Sequence, residues 1–168
     1  MVFLHKSSKF TCNKSDLKKI YILQIRSKLE QSAVVWHSSL TQKCKNKLER
    51  VQKSVLRVIL GDQYLSYKNA LKVLNLQSLD ERRDSLCLSF ARKCLQVEKF
   101  KSMFPRKQQA HRMSKRDSEK FVIRRCFTER HRKSSIPYMQ RLLNRVETEK
   151  RKICKKIDNF EPVNSRLL

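Results

Sequence analysis

The chain has 168 residues and a formal charge of +25, from 40 Lys and Arg against 15 Asp and Glu. One glycine and three prolines leave few turns that need positive φ, which argues against a β-sandwich or a glycine-rich phosphate loop and for helices. So large a charge opposes compaction and favours polyanionic partners, nucleic acid first and an anionic membrane surface second; no stretch approaches the ~20 apolar residues of a membrane span.

Residues 1–14 read as a disordered N-terminal segment. Its opening, Met1 to Lys6, has too short an apolar run for a secretory signal. The absence of any acid before Asp16 leaves a mitochondrial transit segment open, weakened by the lack of arginine. An intracellular location, nuclear or cytoplasmic, is the expectation.

The first helix is predicted to start at Ser15 or Asp16, both good N-caps. Leu17, Tyr21, Ile25, Leu29 and Trp36 fall within one face, and the periodicity carries the helix to about His37. The second helix is the clearest. Thr41 caps it, and Gly61 ends it at positive φ. Cys44, Leu48, Val51, Val55, Val58 and Ile59 form its apolar stripe. Lys43, Lys47, Arg50, Lys53 and Arg57 form a basic stripe opposite, as expected of a helix that buries one side. Those five residues are the candidate nucleic-acid contacts, and a plain solvated face is the competing reading.

A short helix follows, from Tyr67 to about Leu74. Ser78-Leu79-Asp80-Glu81 is a capping box that starts the next helix, which runs to about Val97. Leu79, Leu86, Cys87, Phe90, Cys94 and Val97 share its apolar arc. Arg83 falls inside that arc, so its guanidinium needs acceptors, either helix-end carbonyls or Glu49. Arg82 points outward and is a sixth candidate phosphate contact. Trp36 reads as core, with base stacking as the alternative. His37 reads as a surface residue at a helix end.

From Glu98 to Lys133 the periodicity fails, and the composition predicts a basic loop or disorder. Phe121 to Phe127 reads as a single strand or turn. Ser134-Ser135-Ile136-Pro137 opens a last helix, Tyr138 to about Val146, followed to Lys156 by a charged helix or frayed tail. Between Lys99 and Lys156 stand 20 basic and 5 acidic residues. The expected organisation is therefore all-α: a disordered segment 1–14, a small bundle of three longer helices and a short one over 15–98, a basic linker 99–133, and a helical or disordered tail 134–168.

The sequence carries no recognisable catalytic constellation. A polymerase needs paired carboxylates to hold two metal ions, yet no two aspartates are adjacent. Asp80-Glu81 sits in a first helical turn, where capping and the macrodipole account for it. The six cysteines form no Cys-x-x-Cys pair, and the four histidines show no ligand spacing. Free thiols packed as small hydrophobes are the expectation. No metal, cofactor or catalytic residue is predicted.

Four strings carry a resemblance: Ile25-Arg26-Ser27-Lys28-Leu29-Glu30, Val34-Val35-Trp36-His37-Ser38-Ser39-Leu40, Leu48-Glu49-Arg50-Val51-Gln52-Lys53 and Ser78-Leu79-Asp80-Glu81-Arg82-Arg83. In this order they resemble the segment that follows the polymerase core in reverse transcriptases of jockey-type non-LTR retrotransposons. A weaker likeness continues at Thr128-Glu129-Arg130 and from Ser134 to Asn144. The resemblance implies a helical thumb and C-terminal extension that grips RNA template and growing DNA. The family's Tyr/Phe-x-Asp-Asp motif has no counterpart, and the opening methionine fits an open reading frame in a truncated element copy. The expected partner is RNA or an RNA–DNA duplex, bound without sequence preference. The alternative is a basic helical adaptor, or an assembly protein associated with ribosomal or mitochondrial RNA.

Overall fold

The structure, a computed structural model, describes residues 13–107, 120–123 and 125–158. Among these the chain is all-α. Helix α1 runs in three consecutive pieces: Lys14–Ile20, a π-helical stretch Tyr21–Arg26, and Ser27–Glu30. The others are α2 (Ala33–Trp36, extended by a 3₁₀ turn His37–Ser39), α3 (Gln42–Leu60), α4 (Tyr67–Val73), α5 (Leu79–Gln96), α6 (Glu98–Lys101), α7 (Glu129–Arg132) and α8 (Ser135–Asp158). The chain divides into two compact units, Met1–Cys87 and Leu88–Leu168. The division falls inside α5.

The three longer helices and the short one appear at their expected places, with one break. The first helix stops at Glu30, not at His37. Ser32 takes a left-handed conformation (φ 52°, ψ 24°), which ends a helix as Gly or Asn usually does. The Trp36 indole N–H donates to the Gln31 carbonyl at 2.8 Å and holds this corner. Apolar spacing alone could not show the break, because Trp36 falls on the same helical face as Leu29 when the helix is read straight through.

The helix caps match the sequence. Thr41 Oγ1 accepts from the Cys44 N–H (3.3 Å), and Ser66 Oγ from the Asn69 N–H (3.2 Å). Ser78 and Glu81 exchange both capping-box bonds. Gly61 closes α3 at φ 54°, ψ −126°, a region that L side chains scarcely enter. Asn75 (φ 48°) ends α4 in a Schellman arrangement, with Leu76 N–H on Leu71 O and Asn75 N–H on Lys72 O.

The core of the first unit gathers Leu17 and Tyr21 from α1, Val55, Leu56, Ile59 and Leu60 from α3, and Ala70 and Leu74 around α4. The buried stripe of α3 is turned from the expected one. Gln52 and Leu56 lie inside it, whereas Cys44 is exposed and Leu48 and Val51 are only half-buried. On α5, Ala91 is buried where Phe90 was expected, and Phe90 is 46% exposed.

The second unit has more structure than its composition announced. Phe104 and Phe121 are buried and meet edge to face, 6.4 Å between centroids. A single antiparallel bridge joins Arg106 to Phe121. Thr128 caps α7 through the His131 N–H. Helix α8 is 24 residues long and takes the charged-helix alternative beyond Val146. Pro137 sits in its first turn, where the missing N–H is harmless. The expected N-terminal segment up to Cys12, the centre of the basic linker (108–119) and the last ten residues lie outside the described residues.

Candidate nucleic-acid interface

Lys43, Lys47, Arg50 and Arg57 are exposed on the side of α3 away from its buried stripe. Over that row the helix rises ~21 Å at 1.5 Å per residue. Lys53 lies in the same row but is half-buried, its ammonium 5.0 Å from the centre of the Tyr67 ring. Arg57 stands 5.3 Å over Tyr64, which holds its guanidinium on the surface without neutralising it. Among the described residues, none of Lys43, Lys47, Arg50, Lys53 and Arg57 is in an ion pair.

Arg82, the sixth candidate, does not join this row. Its Nε lies 3.4 Å from Glu30 Oε1, and Arg26 approaches the same oxygen at 3.7 Å. Glu30 is largely buried, so Arg82 serves the junction of α1 with α5 and its charge is already answered.

Beside the row lies an open groove of about 440 Å³, bordered by Lys45, Asn46, Arg50, Tyr67 and Asp80. Glu49 organises its floor. Its carboxylate accepts the Asp80 N–H at 2.9 Å, capping α5, and the Tyr67 hydroxyl donates to its other oxygen. Gln52 Oε1 lies 2.9 Å from that hydroxyl, and Gln52 Nε2 donates to Gln77 O. Burial, followed by the Glu49 carboxylate, pushes the Tyr67 phenol well above its ordinary range. Lys45 pairs with Asp80 at 2.9 Å.

Arg83 is fully buried, as its place in the apolar arc required, but Glu49 is not its partner. Its Nε donates to His37 Nδ1 at 3.1 Å, and an Nη atom lies 3.5 Å from Asp80 Oδ1. The guanidinium faces the Trp36 ring at 6.0 Å. An arginine Nε is always a donor, so His37 Nδ1 must accept and the imidazole proton sits on Nε2. That proton is donated to Asp84 Oδ1 at 2.8 Å. His37 is therefore a fully buried link between α2 and α5, not a surface residue. Trp36 is half-buried, with its polar edge used at the α1 terminus, rather than a core residue. Beside this network burial, with Asp84 next, raises the Cys87 thiol to about 11. The Arg83 signal was legible; of its two partners, Asp80 lies three residues back on the same helix and His37 stands 46 residues away, where no local pattern reaches.

Among the described residues, no three His, Cys, Asp or Glu side chains gather to hold a metal ion, and no helix is long and apolar enough to cross a membrane. A scan against protein-family models, a search of curated proteins and a search of solved structures each found no match.

Proposed function

We propose that the chain is a non-catalytic helical module that binds the phosphate backbone of RNA or an RNA–DNA duplex without sequence preference. The observation that carries this reading is the exposed row Lys43, Lys47, Arg50 and Arg57 on a helix whose other side is fixed in a core. One strand of a duplex advances ~3.4 Å along the axis per phosphate, so a row of ~21 Å spans several. Phosphate contacts of this kind position a protein on a nucleic acid but do not read its bases. The order of the four strings over 20–97 adds a reverse-transcriptase-like ancestry, in which this region follows the polymerase core.

A non-catalytic role has its own support. Two-metal phosphoryl transfer needs carboxylates free to converge on the ions. Asp80 is instead engaged by Lys45 and Arg83, and Glu81 by the Ser78 N–H. Primer extension on an RNA template with magnesium or manganese should give no product.

The binding test is fluorescence anisotropy of an RNA–DNA duplex titrated with the full chain over a range of salt. Replacing Lys43, Lys47, Arg50, Lys53 and Arg57 with Gln should flatten the log–log salt slope by up to about 4 to 5. An unchanged slope with the fold intact would leave the α3 row as a solvated face and remove the proposal's site.

A further inference from the structure

A second basic surface lies in the other unit. Helix α8 buries Met139, Gln140, Leu142 and Leu143 on one side. Asn144 bonds both backbone groups of Phe121, accepting its N–H at 2.8 Å and donating to its O at 3.1 Å. This pair of hydrogen bonds fixes the residues around Phe121 beside the helix. Lys120 is thereby brought to an open groove of about 390 Å³, lined also by Arg141, Arg145, Thr148, Glu149 and Lys152. Four basic groups face one acid there. Arg141, Arg145, Thr148 and Lys152 follow the spacing i, i+4, i+7, i+11, so they lie along one side of the helix. Arg141 gives one N–H to Arg132 O at 2.7 Å and keeps its other donors.

We infer that this groove is a second binding surface for the phosphodiester backbone of nucleic acid. From Arg141 to Lys152 the helix rises ~16 Å, the span of several successive phosphates. Thr148 is committed to Asn144 O, so the cations rather than the hydroxyl supply the attraction. A membrane-surface helix would have to offer its apolar side to the lipid. Here that side, Met139 with Leu142 and Leu143, is buried within the protein. Toward the groove α8 presents mainly charge, although Ile136 and Ile153 are exposed elsewhere on the helix. The residues of this groove are separate from the α3 row, and the two surfaces share only the class of ligand.

The test compares four forms of the full chain on single-stranded oligo(dT) and on an RNA–DNA duplex over a range of salt. These are wild type, the triple Arg141→Gln/Arg145→Gln/Lys152→Gln, the five-residue α3 variant, and a charge-matched control, Lys68→Gln/Lys72→Gln/Lys93→Gln. The triple should lower the log–log salt slope by about 2 to 3, and the control by less than about 1. Glu149→Gln, which removes the groove's acid, should tighten binding. If the triple proves unfolded by circular dichroism, the double Arg145→Gln/Lys152→Gln, which spares the bond to Arg132, should lower the slope by about 1 to 2. A slope loss no greater than the control's overturns the inference. So does a triple that abolishes binding to phosphatidylserine vesicles while leaving nucleic-acid binding intact. If the α3 variant binds normally and the triple does not, this inference stands and the α3 row fails as a site; the reverse result separates them the other way.

Discussion

Helices α3 and α8 share a design, apolar on one side and basic on the other, but they are held differently. Helix α3 packs its stripe into a cluster supplied by α1 and α4. Helix α8 is tied to non-helical chain. Gln140 Nε2 donates to Met103 O at 2.9 Å, and Asn144 clamps Phe121. Helix-on-helix packing repeats with the helical period and leaves a stripe in the sequence. Packing against an irregular segment needs only a few well-placed groups, among them an amide that imitates a strand's pairing. The first unit is therefore specified mainly by apolar periodicity and caps, and the second by particular polar bonds.

That contrast can be broken most decisively in α3. Val55 is fully buried, so Val55→Asp places a charge in the core without a partner. The variant should lose its cooperative melt by circular dichroism, whereas Lys47→Gln on the exposed side should stay within about 0.5 kcal/mol of wild type. Similar melting of the two would mean that α3 does not pack as a helix with one buried side.

Next in size is Arg83. Arg83→Ala strips the partner from buried His37 and should destabilise by about 3–5 kcal/mol in chemical denaturation. Arg83→Met strips the same partner but fills the space, so it should recover only the packing part of that loss. Equal losses would show that the network contributes pairing and not volume.

The smallest effect sharpens the account of the second unit. Asn144→Ala removes both bonds to Phe121 and should cost about 1–3 kcal/mol, with faster hydrogen exchange at the Phe121 amide. Unchanged exchange there would mean that Phe121 is held by its ring alone.

The sequence was most readable where a residue acts on its own neighbours. Thr41, Ser78 with Glu81, and Gly61 each mark a helix end through contacts or backbone angles within a few positions, and each is where it was expected. Ser32 and Asn75 carry the same kind of information in a weaker form, because neither residue type demands a left-handed backbone. The stripe on α3 was identified but turned, since Gln52 is polar by composition and buried by virtue of Tyr67 and Gln77. Of the candidate binding residues, the α3 row was legible as a helical stripe. Arg82 was not, because the carboxylate that answers it comes from Glu30, on a different helix. The α8 groove was hidden because Lys120 reaches it only through the Asn144 clamp.

Trp36 is the single tryptophan, and its indole sits against the Arg83 guanidinium with its N–H on a backbone carbonyl. Intrinsic emission excited at the indole band thus comes from one corner of the first unit. Helicity in the far ultraviolet comes from both units together. Heating the protein while recording both signals follows the first unit alone in one curve and both units together in the other, without any label. The temperature gap between the two curves would measure how tightly the opening of one unit is coupled to the other.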